Sequence, residues 1–156
     1  MNRITSASLL LKIIILVVVC MSCKKDKDPE PTPVEPTLKE KATTLMTANG
    51  GKWNPAAVTN WVMVEGVNVS DLFKNFTITF TATGYTTTGT SPVWPRVDTW
   101  HFKDDNATSF IRDSDGKEVT IKVTDTTLEI SLTWDQTLYD GRTKSVAGRH
   151  VFTLTK

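Results

Sequence analysis

The chain has 156 residues, is 39% hydrophobic and 22% charged, and carries a formal net charge of +1. That is enough for one ordinary domain with appendages. The near-neutral balance, with Lys24-Lys25 as the only basic doublet, excludes the concentrated basic surface that a nucleic-acid partner requires. Two histidines and two cysteines leave little material for a metal or nucleophile site, and no cofactor is expected.

Residues 1–22 read as an export signal. Arg3 precedes an apolar stretch from Leu9 to Met21 that is broken by Lys12. The clean run from Ile13 to Met21 is far short of the roughly 20 residues a spanning helix needs. Cys20 and Cys23 stand at C-x-x-C spacing. A redox pair of that kind works at a helix start inside a folded core, whereas this one closes an export signal. Small Ser22 before Cys23, followed at once by a polar stretch, resembles a bacterial lipoprotein lipobox. The resemblance implies that Cys23 is lipidated with diacylglycerol and palmitate-type acyl chains and heads the mature chain. Cys20 is the rival acceptor, but bulky Val19 precedes it. Cys20 and Met21 also depart from the aliphatic and small residues such boxes carry. Each buried methylene contributes about 0.8 kcal/mol, so several acyl chains anchor a protein permanently. Loss of Arg3 and Lys12 with the signal leaves sixteen basic groups against seventeen acidic ones, a net −1.

Residues 23–37 form a tether. Asp26, Asp28 and Glu30 look like the acidic tethers of Bacteroidetes surface lipoproteins, which implies the outer membrane, on its periplasmic or exposed side. Pro29, Pro31, Pro33 and Pro36 favour polyproline II. At about 3.1 Å per residue the stretch from Lys24 spans roughly 40 Å.

The domain is expected over 38–156. Thr37-Leu38-Lys39-Glu40 reads as a capping box, with Leu38, Ala42, Leu45 and Met46 as an apolar stripe and Asn49-Gly50-Gly51 as the stop. The period then becomes two. Phe76, Ile78 and Phe80 alternate with threonines, Trp100 and Phe102 flank His101, and Val119, Ile121 and Val123 alternate with polar residues. Leu128, Ile130, Leu132 and Trp134 repeat the pattern. Turn signals separate the runs. The spacing predicts eight strands near 60–66, 74–82, 84–90, 97–103, 107–112, 117–124, 127–135 and 147–155. The expected fold is all-β, a small antiparallel up-and-down barrel with a short N-terminal helix, and a two-sheet sandwich is the rival.

Gly51-Lys52-Trp53, placed before the first expected strand, matches the G-x-W motif that opens lipocalin barrels. With "NFTITFTATG", "TWHFKDD", "DGKEVTIKVTDTTLEISL" and "HVFTLTK", the chain resembles the lipocalin-like domains of Bacteroidetes lipoproteins over residues 38–156. The resemblance implies a barrel that binds a small hydrophobic or amphipathic molecule or a glycan. It also implies an arginine late in the last strand that packs on the motif tryptophan. Here Arg149 falls at that strand's start.

His101 is expected outward and His150 inward or at a rim, which separates them. Asp104-Asp105 and Asp113-x-Asp115-Gly116 read as turns rather than as a calcium loop. No serine sits in a nucleophile elbow and no phosphate loop occurs, so no enzyme is expected. In "TGTSPVWPRVD", residues 88–98, two prolines hold Trp94 beside Arg96. Trp94 either stacks on a ligand from a stiff rim or folds back as a plug. The long hairpin "WDQTLYDGRTKSVAG", residues 134–148, offers Tyr139 and Arg142 as the second ligand-binding pair. Asp125-Thr126-Thr127 resembles a Bacteroidetes O-glycosylation pattern, with Thr126 as acceptor. Large inward residues (Phe80, Trp100, Phe102, Trp134 and Phe152) crowd an eight-strand barrel. That crowding brings a filled module docking to an envelope protein close to a ligand carrier.

Overall fold

A computed structural model describes residues 34–135 and 147–156. The fold belongs to Pro36–Lys156. It opens with helix α1 (Leu38–Thr47). Thr37 Oγ1 accepts the Glu40 amide at 3.2 Å, and the Glu40 carboxylate takes the Thr37 amide at 2.7 Å, a reciprocal capping box. Ala42 and Met46 are buried, but Leu38 is 55% exposed, so the inward stripe begins one turn later than expected. A 3-10 turn at Ala48–Gly51 ends the helix, with Asn49 and Gly50 in left-handed conformation.

Ten strands follow: β1 (Lys52–Pro55), β2 (Val62–Val64), β3 (Val67–Asn68), β4 (Thr77–Phe80) and β5 (Gly84–Thr88). Then come β6 (Val97–Phe102), β7 (Ser109–Arg112), β8 (Glu118–Val123), β9 (Thr127–Trp134) and β10 (Gly148–Thr155). The strands β4 to β10 form a continuous antiparallel meander, and β1 closes it by pairing with both β4 and β10. Eight strands therefore make a closed barrel, and the sandwich alternative falls.

The closing strand differs from expectation. The ring is entered at β1, which contains Trp53, and not at 60–66. Ala56 N still donates to Thr153 O at 3.0 Å, and the chain then leaves the ladder over 57–60 before Trp61 O accepts from Thr153 N at 2.8 Å. It returns as β2, which pairs with the other half of β10 through Val62↔Phe152 and Val64↔His150. The hairpin partner β3 then leads to Phe73 and Phe76, which enter the core before β4 begins.

The end of the barrel that receives the chain is the floor. It holds α1, the β4–β5, β6–β7 and β8–β9 turns, and Lys156. Trp53 is fully buried there, its indole N–H donating to Met46 O at 2.9 Å. Gly51 must be glycine: its φ is +69°, and a Cβ would collide with the carbonyl oxygen of Phe80. The cation over Trp53 is Lys156, whose Nζ lies 4.6 Å from the ring centroid and donates to Leu45 O at 3.0 Å. Lys156 thus fills the role that the resemblance gave to an arginine, and Arg149 serves elsewhere.

The interior is packed with the protein's own side chains. All five tryptophans are buried, together with Phe73, Phe76, Phe80, Phe110 and Phe152. The rings touch edge to face or tilted along the bore: Trp94 on Phe152 at 5.8 Å, Phe73 on Phe152 at 5.0 Å, Trp100 on Phe110 at 5.2 Å. Such pairs add about 0.5–1.5 kcal/mol each beyond area burial.

Candidate functional site

The opposite end, the mouth, gathers the β5–β6 and β7–β8 connections, the end of β9 and the start of β10. Gly89 turns the chain away from β5 at φ +71°, in contact with the backbone of Asn75. Thr90 N then donates to Lys74 O at 2.8 Å. Ser91 Oγ accepts the Trp94 amide at 2.9 Å, while Thr87 takes both ends of the return, with its amide on Arg96 O and its hydroxyl on Pro95 O. Trp94, between Pro92 and Pro95, points inward.

Trp94 is 2% exposed. Of the two sequence readings, the plug is the one observed. Its ring meets Tyr85 at 5.4 Å and Phe152 at 5.8 Å. Arg96, on the same loop, is exposed. Trp94 and Arg96 therefore do not form one surface. Tyr139, Arg142 and Cys23 lie outside the described residues. Trp134 at the end of β9 and Gly148 at the start of β10 pair at this mouth. Thr126 is exposed in the β8–β9 turn at the floor, its carbonyl accepting the Lys156 amide.

Beneath Trp94 lies a charge that sequence reasoning missed. Arg112, the last residue of β7, is wholly buried. Its guanidinium is 5.3 Å from the Trp94 ring and 6.0 Å from that of Trp134. Nη1 donates to Val93 O at 2.6 Å, Nε to Asp115 Oδ1 at 3.1 Å, and Nη2 to Asp115 Oδ2. This bidentate fork is the geometry that lets an arginine survive burial. Burial raises the Asp115 pKa, but the hydrogen bonds from Arg112 and the Lys117 amide outweigh it and hold the carboxyl below its usual range.

Asp98 completes the cluster. It accepts Thr99 N at 2.8 Å, Ser114 Oγ at 2.6 Å, Ser114 N at 3.2 Å and, more loosely, Tyr85 OH at 3.4 Å. Burial, foremost, pushes the Tyr85 hydroxyl well above its ordinary range, so it remains a donor. The network ties β5, β6 and β7 and the lid loop together. Its hydrogen bonds make it a clamp on the mouth. The signal was available: Arg112 shares the parity of inward Phe110.

The histidines separate as expected. His101 points outward and pairs with Asp113 Oδ1 at 2.7 Å. His150 is wholly buried beside Phe73 and Phe152. Its Nδ1 lies 3.2 Å from Gly148 O, which can only accept, so Nδ1 carries the proton and Nε2 presents a lone pair to the interior. Burial depresses its pKa, against a smaller opposing push from that hydrogen bond. Among the described residues, His150 Nε2, Trp94 Nε1 and Trp134 Nε1 are buried without a partner. Of the turn carboxylates, Asp104 closes its own turn on Asn106 N and Asp105 pairs with Lys39 at 2.7 Å. No group of three or more potential ligands converges for a metal among the described residues.

Fold and site together define a closed, self-filled antiparallel barrel whose mouth is shut by a clamped tryptophan. Compared with protein-family models, curated proteins and solved structures, the chain matches none.

Proposed function

We propose that the chain is a lipid-anchored envelope lipoprotein, held in the outer membrane through Cys23, whose lipocalin-like barrel is a non-enzymatic scaffold docking to another envelope protein. One observation carries the docking half: the interior is occupied by the protein's own aromatic side chains, with Trp94 seated in the mouth. An eight-strand barrel has room for its side chains or one small ligand, and side chains occupy this one. The contact surface is then external. The mouth loop suits it, with Arg96 exposed and Val97 71% exposed on a segment whose inner side is locked by Arg112. A surface fixed in advance binds with less ordering cost. The anchor rests on the basic and apolar leader and on Ser22-Cys23. A carrier of a small amphipathic molecule is the second reading, favoured by the three unpartnered buried nitrogens, which a ligand's polar end would satisfy.

Native mass spectrometry of the protein from its host envelope, with acyl chains removed, tests the choice. A bare mass is expected, and a discrete retained mass lost on denaturation overturns the scaffold reading. A photo-cross-linker at Arg96 should capture one discrete partner that the same group at Lys122 does not. Cys23→Ala should release the protein from membranes, and unchanged partitioning overturns the anchor.

A further inference from the structure

The outer wall of the barrel carries a second feature, independent of the mouth. Glu118 and Thr120 on β8, Ser131 and Thr133 on β9 and Arg149 on β10 line a groove of about 170 Å³ together with Leu132. Register explains the grouping. Thr120 faces Ser131 and Thr133 faces Arg149, while the pairing of Val119 with Leu132 sets Glu118 beside Thr133. Glu118, Thr133 and Arg149 thus form one row and Thr120 and Ser131 the next. All five side chains have outward parity. Hydroxyls occupy the middle of the groove, with a carboxylate at one side and a guanidinium at the other.

Four details make this a built site. Ser131, although it points out of the barrel, is only 4% exposed. Its hydroxyl accepts from Arg149 Nη2 at 2.9 Å, which fixes the guanidinium over the groove. The Arg149 amide is itself held by Glu65 Oε1 at 2.9 Å, from the β2–β3 turn. Glu118 is kept in place by Lys103 at 2.7 Å.

The Arg149 guanidinium makes no ion pair among the described residues, in contrast to Lys103 and Lys122 on the same wall. Glu118 and Arg149 stand two strands apart, about 10 Å, too far for a direct pair. The volume between them would hold about five or six waters, well below the size of a drug-like pocket. Both β8 and β9 are paired along both edges, so no main-chain groups are free to add a peptide strand. Recognition here depends on side chains alone, and they offer an oxyanion receptor next to a row of hydroxyls and a carboxylate acceptor.

We infer that this groove binds an acidic sugar, a single hexuronate-type residue. Its carboxylate lies on Arg149, its ring over Thr133 and Ser131, and its hydroxyls donate to Glu118. Guanidinium forks match carboxylates, and a fixed carboxylate accepts from sugar hydroxyls without reorganising.

The test is a titration of the full chain in detergent micelles by backbone-amide NMR, with glucuronate, glucose and acetate as probes. Glucuronate should shift the amides of Thr120, Ser131, Thr133 and Arg149 saturably. Glucose and acetate, each lacking one half of the recognition, should bind at least fivefold more weakly. Arg149→Gln should lower glucuronate affinity about tenfold, whereas Lys122→Gln, on the same wall but outside the groove, should not change it. Acetate matching glucuronate would reduce the site to a bare cation and overturn the sugar assignment. Absence of saturable shifts, or an equal loss in Lys122→Gln, overturns it as well.

Discussion

Replacing Arg112 dissects the clamp at the mouth. In Arg112→Met the volume is largely kept, while three hydrogen bonds and two aromatic contacts are lost. Asp115 has a side chain 30% exposed and can turn to water, so its loss of a partner is cheap. The carbonyl of Val93, a residue 1% exposed, cannot. Leaving it unpaired costs about 1–3 kcal/mol. Each lost cation–aromatic contact costs about 0.5–2 kcal/mol, against which stands relief from burying a guanidinium. The net expectation is about 1–3 kcal/mol of destabilisation for Arg112→Met. Arg112→Ala adds a cavity and should reach about 3–5 kcal/mol. Urea unfolding followed by near-ultraviolet circular dichroism measures both. With a slope of about 1–3 kcal/mol/M, the Met variant should lose roughly 1 M in midpoint. A Met variant as stable as the parent would refute the clamp and show that the aromatic packing alone holds the lid.

Three further outcomes are expected. Because every tryptophan is buried, intrinsic emission should be blue-shifted and insensitive to iodide, and Arg112→Met should admit iodide to Trp94, as shown by comparison with Trp94→Phe. Gly51→Ala places a Cβ against the Phe80 carbonyl at positive φ and should cost at least about 2 kcal/mol in the same urea assay, while Gly50→Ala, with open space around it, should cost about 1 kcal/mol. His150 has a folded pKa below its unfolded value, so the unfolded chain takes up more protons as pH falls through about 6.5. Stability should therefore be full above that pH and decline by up to about 1.4 kcal/mol per unit below it until the folded pKa is reached. His150→Phe should flatten that slope in thermal melts, and an unchanged slope would remove His150 as its source.

The strand pattern was legible because each barrel strand buries one face and wets the other, which writes period two directly into residues 76–80, 118–123 and 127–134. The entry to the ring was not. Four residues ending in Pro55 carry too little periodicity, and only pairing with β10, far along the chain, makes β1 a strand. Trp94 was recognised as unusual, but a proline-flanked tryptophan is compatible with either side of a rim, and the choice depends on whether Arg112 waits beneath it. Arg112 and Asp98 were hidden by their charge, although their parity with Phe110 and Trp100 marked them as inward. Arg149 at the start of β10 lies outside the role that Lys156 fills, and its register with Thr133 becomes meaningful once three strands are laid side by side.

The pairing of β1 with β10 also has a bearing on how the protein is made. Asn54 meets Thr155, and Pro55 meets Leu154, so the seam joins segments roughly a hundred positions apart, a closure costing about 4 kcal/mol of chain entropy. No earlier segment can substitute, since β2 already holds the other half of β10. Closure of the ring therefore waits on β10, and Lys156 beyond it ties the helix to Trp53. Pairing across so long a separation is intrinsically slow, so closing this seam is expected to be a late step in folding.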